Sequence, residues 1–316
     1  GIMTACNEAE IPHPAVISES GRALIGYYSV LVINVLDAAI YEEKECPENI
    51  PEPRPEALEN MMYVARTLSL KNLQESFNDA LYYREEIQKA FKHGDITLRQ
   101  HAAADCLFWH ILTRIRELLP GLKIVPKDLL GLDALLADVY YCNFSVFQSL
   151  PDAWAIDQLF PIMPIHRLTE KPTRMACLSD ITCDCDGRID KFIDQHDVKS
   201  VLPVHALRKG EPYMLAAFLV GAYQETLGDL HNLFGDTNVV SVQVDEDGEI
   251  EYVQELQGDS VGDVLSYVEY RPERLMEQFR ALAEDAVKAK RITPAERREI
   301  LAAYDNGLRG YTYFEQ

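Results

Sequence analysis

Two hydrophobic periods alternate along the chain, and the points where one gives way to the other divide it. Residues 2–10 read as the body of an amphipathic helix without its beginning, as if the chain started inside a domain. Residues 15–18 form a short apolar run behind Pro12 and Pro14 and predict a buried strand. The longer run 27–40, rich in Val, Leu, Ile and Tyr, predicts another. An acidic, proline-rich break at 42–55 reads as a connection between units. From 57 to 121 the period changes to three-to-four: Leu73, Phe77, Ala80, Ile87 and Phe91 make one stripe, and Leu107, Phe108, Ile111, Ile115 and Leu118 make a second. Gly94-Asp95 separates the stripes and Pro120-Gly121 ends the second, so an antiparallel helical bundle is expected.

Strand signals then return. Residues 138–150 alternate aromatic and small side chains, and 213–223 is a nearly continuous apolar run, as for a strand buried on both faces. Val240, Val242 and Val244 alternate into an Asp247-Gly248 turn followed by Ile250 and Tyr252, which predicts a hairpin. In the tail, Pro272 suits a first helical turn, and Thr293-Pro294-Ala295-Glu296 is a capping box. Gly307 or Gly310 is placed to stop the last helix. The order predicts an α+β chain whose β domain is interrupted by a helical insertion.

The charge balance is 30 Lys+Arg against 51 Asp+Glu, a net −21, which repels nucleic acid and anionic membranes and would concentrate a small cation near an acidic cleft. No apolar run approaches the ~20 residues needed to span a bilayer. GIMTACNEAE lacks the basic and apolar regions of a secretory signal. Seven cysteines without a disulfide-framework spacing point to a reducing cytoplasm. GxxxxGK[ST] is absent, so no phosphate-cradling loop of that type is encoded.

Four segments carry candidate chemistry. In ISESGR, Glu19 and Arg22 follow a predicted strand, where Glu19 could accept a hydrogen bond from a protonated ring nitrogen and Arg22 could clamp a phosphate; the bland alternative is a local salt bridge. In ITCDCDG, an extended backbone would set Cys183 and Cys185 on one face and Asp184 and Asp186 on the other, a poor arrangement for a zinc cage. The readings left are a cleft lined by Cys183 and Asp184, or buried cysteines beside surface aspartates. Tyr223 ends the long apolar run, either offering its hydroxyl to a phosphate or serving as a core tyrosine. DLHNLFGD, residues 229–236, is a ligand loop or, more simply, a turn.

In that order, HPAVISESGRA, FSVFQSLPD, ITCDCDG and FLVGAYQETLGDLHNLFGDTN resemble the C-terminal half of biosynthetic arginine decarboxylases, over essentially the whole chain. These are pyridoxal 5'-phosphate (PLP) enzymes of the alanine-racemase-like fold that make agmatine for polyamine synthesis. The resemblance implies the end of a PLP-binding TIM-type barrel (1–25), a C-terminal β-barrel or sandwich domain (26–54 and 138–260), a helical-bundle insertion (55–137) and a helical extension (261–316).

It also implies roles. Glu19 would hold the pyridine nitrogen, Arg22 would lie on the phosphate side, and Tyr223 would bond the phosphate. Cys183 would reprotonate the product carbanion, and Asp184, with Asp186 as a second acidic residue, would reach the guanidinium of L-arginine. Cys183 and Asp184 would enter the neighbouring subunit's active site, making a homodimer with shared sites that could pair into a tetramer. Phe144, where ornithine decarboxylases carry an acidic residue, would favour arginine. Magnesium dependence is implied with no ligands assigned. The family's cofactor-bearing lysine and glycine-rich phosphate loop have no counterpart here, so an N-terminal half, as a separate or cleaved chain, is expected as a partner. Two other readings stay open: a non-catalytic subunit that binds a partner through its helical insertion, and a metal-binding module using Cys183 and Cys185.

Overall fold

The computed structural model describes residues 1–40, 50, 52–195 and 197–315. Most of the proline-rich break at 42–55 lies outside the described residues. The strands are β1 (Val30–Ala39), β2 (Asp138–Cys142), β3 (Ile162–Pro164), β4 (Arg174–Ser179), β5 (Arg188–Ile189), β6 (Phe192–Ile193), β7 (Val198–Lys199), β8 (Leu202–Val204), β9 (Met214–Phe218), β10 (Val239–Val244) and β11 (Ile250–Leu256).

β1 is the axis of the main sheet. Its first half pairs antiparallel with β9, Val30 facing Phe218 and Asn34 facing Met214. Its second half pairs antiparallel with β2, Ala39 facing Val139, across a register shift between Val35 and Asp37. The sheet order is β3-β9-β1-β2-β4-β5, with β8 also on β4. The β2–β4 pair is parallel. Ile33, Tyr140, Phe144, Leu178 and Leu215 fill the core on this sheet, each at most 1% exposed.

The helical insertion sits between β1 and β2. Glu56–Thr67, Leu73–His93 and Leu98–Leu118 pack on one another around Leu58, Phe77, Phe108, Ile111 and Ile115. The tight reversal between the two longer helices follows from four residues. Gly94 takes φ +82, a conformation glycine adopts without a Cβ penalty, and the amides of Gly94 and Asp95 return to Phe91 and Ala90 carbonyls. Thr97 then opens the next helix with a full capping box to Gln100.

The β10–β11 hairpin is present, but it is a separate two-stranded ribbon exposed along both strands. The tail forms Val261–Tyr267, Pro272–Lys288 and Pro294–Arg309, and Thr293 caps the last of these as the sequence predicts. Beyond it, residues 312–314 return to the sheet: Asn143 and Phe314 exchange hydrogen bonds at 2.8 and 3.1 Å, and Tyr313 donates to the Gly235 carbonyl at 2.8 Å.

Three local expectations need correction. Residues 15–18 are not a buried strand: they join no ladder among the described residues, and Val16 and Ile17 are 68% and 95% exposed. The strand expected over 138–150 stops at Cys142, because Ser145 caps a helical turn, Val146–Ser149, by accepting from the Gln148 amide. The run 27–40 opens with a 3₁₀ turn, Gly26–Tyr28, before the strand begins. Among the described residues no helix is long and apolar enough to cross a membrane.

Candidate active site

Close backbone approach builds the first cluster. The Gly221 amide donates to the Gly26 carbonyl at 2.9 Å, and a Cβ at Gly221 would stand 2.5 Å from both the Ile25 carbonyl oxygen and the Tyr28 ring. Only glycine fits there, and the contact brings the end of β9 against the helix Gly21–Ile25. Tyr223 follows in a left-handed conformation, φ 71, a sparsely populated state for a bulky residue. Its hydroxyl approaches Gly21, where a Cβ would lie 3.3 Å away.

Arg22 is held beside it. Its Nη2 donates to Asp152 at 2.6 Å, and its guanidinium lies 5.1 Å from the centre of the Tyr223 ring. Asp152, 7% exposed, also accepts from Gln224 Nε2 at 2.7 Å, while the Asp152 amide donates back to Gln224. Arg22 Nη1 is buried with no hydrogen-bond partner. A cavity of about 670 Å³ opens here, lined by Glu19, Gly21, Arg22, Phe160, Leu219 and Tyr223. The local Glu19–Arg22 salt bridge weighed above is not what forms: the partner of Arg22 is Asp152. Tyr223, 48% exposed, is not a core tyrosine.

The second cluster is the 181–187 loop. It is a run of bends and turns and not an extended strand, so the face-by-face alternation expected for its cysteines and aspartates does not occur. The cause is Asp180. This buried carboxylate accepts from the Thr182 amide and hydroxyl with one oxygen and from the Val146 amide with the other, drawing away donors that a ladder would use. The Asp180 amide donates to the Gly187 carbonyl at 2.8 Å, and the loop closes. Cys183 and Cys185 are both exposed.

Within the loop the Asp186 amide donates to Asp184 Oδ1 at 2.9 Å, and His231 Nε2 stands 3.3 Å from Asp184 Oδ2. These contacts, the Asp186 amide foremost, hold the Asp184 carboxyl below its ordinary pKa. Cys183 Sγ donates to Asn232 Oδ1 at 3.4 Å. Asp186 turns outward to a smaller cavity, about 260 Å³, shared with Trp154, Asp157, Arg188 and Lys191.

Glu19, Arg22 and Tyr223 therefore converge on one cavity, and Cys183 and Asp184 do not line it. Phe144 does not line it either; it is 1% exposed and belongs to the sheet core, so it cannot touch a substrate. Among the described residues the acidic and thiol ligand atoms that converge are those of Asp184, Cys185 and Asp186. One half-buried carboxylate, one exposed carboxylate and a thiol do not suit magnesium, a hard cation that demands near-octahedral oxygen ligation. Sequence reasoning missed Asp152, Gln224, His231 and Asn232. For the last two the polar 229–236 segment was the available signal; for Asp152 nothing in its spacing marks a buried anchor.

The comparisons with known proteins complete the picture. The family model described as the arginine decarboxylase helical bundle domain matches residues 51–133, and that described as the arginine decarboxylase C-terminal helical extension matches residues 261–314. Both models describe parts of arginine decarboxylases, and the chain is similar to these enzymes over nearly its whole length. It is 48% identical to the biosynthetic arginine decarboxylase of Bacteroides thetaiotaomicron over 306 residues, covering 96% of this chain and 48% of that protein. It is 46% identical to that of Thermosynechococcus vestitus, covering 99% and 49%. The crystal structure of the biosynthetic arginine decarboxylase from Campylobacter jejuni superposes with a TM-score of 0.76 at 29% identity, over 100% of this chain and 50% of that one. The chain spans about half the length of the curated relatives it matches.

Proposed function

We propose that this chain supplies one part of an active site that decarboxylates L-arginine to agmatine and carbon dioxide, with PLP as cofactor, in polyamine biosynthesis. The observation that carries the reading is the unpartnered, buried Nη1 of Arg22 beside the Tyr223 hydroxyl, at the wall of a cavity of about 670 Å³. A buried guanidinium nitrogen with no acceptor is costly unless a ligand supplies one, and a phosphate does. These residues fit the cofactor.

The roles divide between the clusters. Arg22 and Tyr223 bind the phosphate, with Asp152 fixing the guanidinium. Glu19 accepts from the protonated pyridine nitrogen. When bound, PLP supplies the electron sink that lets carbon dioxide leave. Cys183 Sγ delivers a proton to the α carbon, and the Asp184 carboxylate, whose charged form its local hydrogen bonds favour, receives the guanidinium as a charge-assisted pair. Asp186 adds negative charge nearby. Cys183 and Asp184 do not line the Glu19–Arg22–Tyr223 cavity, which agrees with a homodimer in which they serve the neighbouring subunit's cofactor.

The cofactor-bearing lysine belongs, on this reading, to the half of the relatives' length that this chain does not span, and the setting is the cytoplasm. The test is release of carbon dioxide and agmatine from L-arginine, with L-ornithine as control. Activity is expected when an N-terminal half from a relative is supplied, and none from this chain alone. Agmatine formation by the isolated chain, or no arginine activity from the assembled enzyme with PLP bound, would overturn the proposal.

A further inference from the structure

The loop bearing Cys183 and Asp184 is gripped side chain by side chain by a second loop. Two consecutive residues of one, Cys183 and Asp184, face two consecutive residues of the other, Asn232 and His231. We infer that His231 and Asn232 are separate positioning residues, His231 for the Asp184 carboxylate and Asn232 for the Cys183 thiol. The inference rests on the roles proposed above for Asp184 and Cys183.

Asp184 has its side chain 34% exposed, and an unrestrained surface carboxylate samples several rotamers. Here both of its oxygens are engaged: Oδ1 accepts from the Asp186 amide, and Oδ2 stands 3.3 Å from His231 Nε2. A carboxylate offers about four lone-pair positions, so a cationic ligand still finds acceptors on both oxygens in a fixed plane. Fixing the plane beforehand removes the ordering cost of binding.

His231 is itself anchored. Its ring stands edge-on to buried Phe147 with centroids 4.6 Å apart, and the Asp229 amide donates to the Phe147 carbonyl at 3.0 Å. Asn232 and Leu233 then take left-handed backbone conformations, φ 58 and φ 60. Two adjacent non-glycine residues in that region are strained, and the surrounding contacts must hold them there. From Asn232 the side-chain oxygen accepts from Cys183 Sγ, which fixes the position of the sulfur.

The two contacts act on different steps, so the two variants separate. His231→Phe keeps the ring against Phe147 and removes the hydrogen bond. In the assembled PLP-loaded enzyme it is expected to raise KM for L-arginine roughly tenfold, the scale of a lost hydrogen bond to a charged group, while kcat changes little. The affinity for agmatine, measured calorimetrically, should fall by the same factor. His231→Gln, which can return an N–H to Asp184, should recover most of both. Asn232→Gly tolerates the positive φ and removes the acceptor; it should lower kcat with KM and agmatine affinity near wild type. Unchanged KM and agmatine affinity in His231→Phe, or equal losses in His231→Phe and His231→Gln, would sink the assignment of His231. A KM effect in Asn232→Gly without a kcat effect would sink that of Asn232. Absence of arginine turnover in the wild-type assembly would instead remove the underlying functional reading.

Discussion

Arg22 and Asp152 meet at 2.6 Å although 130 residues separate them, and the bond spends only one end of the guanidinium. Nη1 remains buried and unpaired. Asp152→Asn keeps the size of the side chain and removes the charge that holds Arg22. Because Gln224 shares Asp152, the whole anchor loosens. PLP affinity of the assembled enzyme, followed by cofactor absorbance, should fall roughly tenfold, and urea unfolding should show a loss of about 1–3 kcal/mol. A variant that binds PLP as tightly as wild type would remove Asp152 from the site.

Gly187 is tied to the loop by volume. A Cβ there would lie 2.1 Å from Asp180 Oδ1 and 2.5 Å from Thr182 Oγ1. Gly187→Ala must therefore displace the carboxylate that organises 181–187. A destabilisation of roughly 1–3 kcal/mol is expected from overpacking. The assembled enzyme should also lose turnover beyond what the stability change explains, since Cys183 and Asp184 move with the loop. Crystal structures of the variant would show whether Asp180 shifts.

Thr97 and Gln100 start the helix Leu98–Leu118 of the insertion. Gln100 is 5% exposed, returns its side chain to the Thr97 amide at 2.9 Å and donates to the Pro53 carbonyl at 2.8 Å. Thr97→Ala should cost about 1 kcal/mol of unfolding free energy. Amide exchange should accelerate in Leu98–Leu118 and leave the main sheet unaffected.

Tyr140 should report on alkaline stability. Burial, with Asp138 adding to it, pushes its phenol from 10 up to about 12. A raised folded-state pKa means that its contribution is fully present below pH 10 and is lost as pH rises through about 12. Absorbance at the phenolate band should show Tyr140 ionising late in the folded chain. Tyr140→Phe should flatten the fall in stability over that window, at the expense of the bond Tyr140 donates to the His205 carbonyl at 2.9 Å.

The bundle was legible in the sequence because its stripes are long and its stop and start are local: Gly94, Thr97 and Gln100 specify the reversal within a few residues. The hairpin at Asp247-Gly248 and the cap at Thr293 were legible for the same reason. Glu19, Arg22, Cys183, Asp184 and Tyr223 stood out by residue type and position, with plainer readings beside them, and only the resemblance gave them roles. What escaped is non-local. Val16 and Ile17 have strand composition, yet burial needs neighbouring strands that composition does not reveal. ITCDCDG reads as extended until Asp180, outside the motif, takes its backbone donors. Asp152, His231 and Asn232 acquire meaning only when distant segments meet.

The insertion leaves the sheet after β1 and returns at β2, and Ala39 faces Val139 across that junction. Joining these strands therefore closes a loop of roughly 100 residues before any ladder bond repays it. A bundle that has already folded brings the two strand ends together and shortens the span the chain must close. The order of events during folding is thereby biased: the inserted helices, stabilised by local contacts, come first, and the sheet that carries both candidate clusters is assembled last.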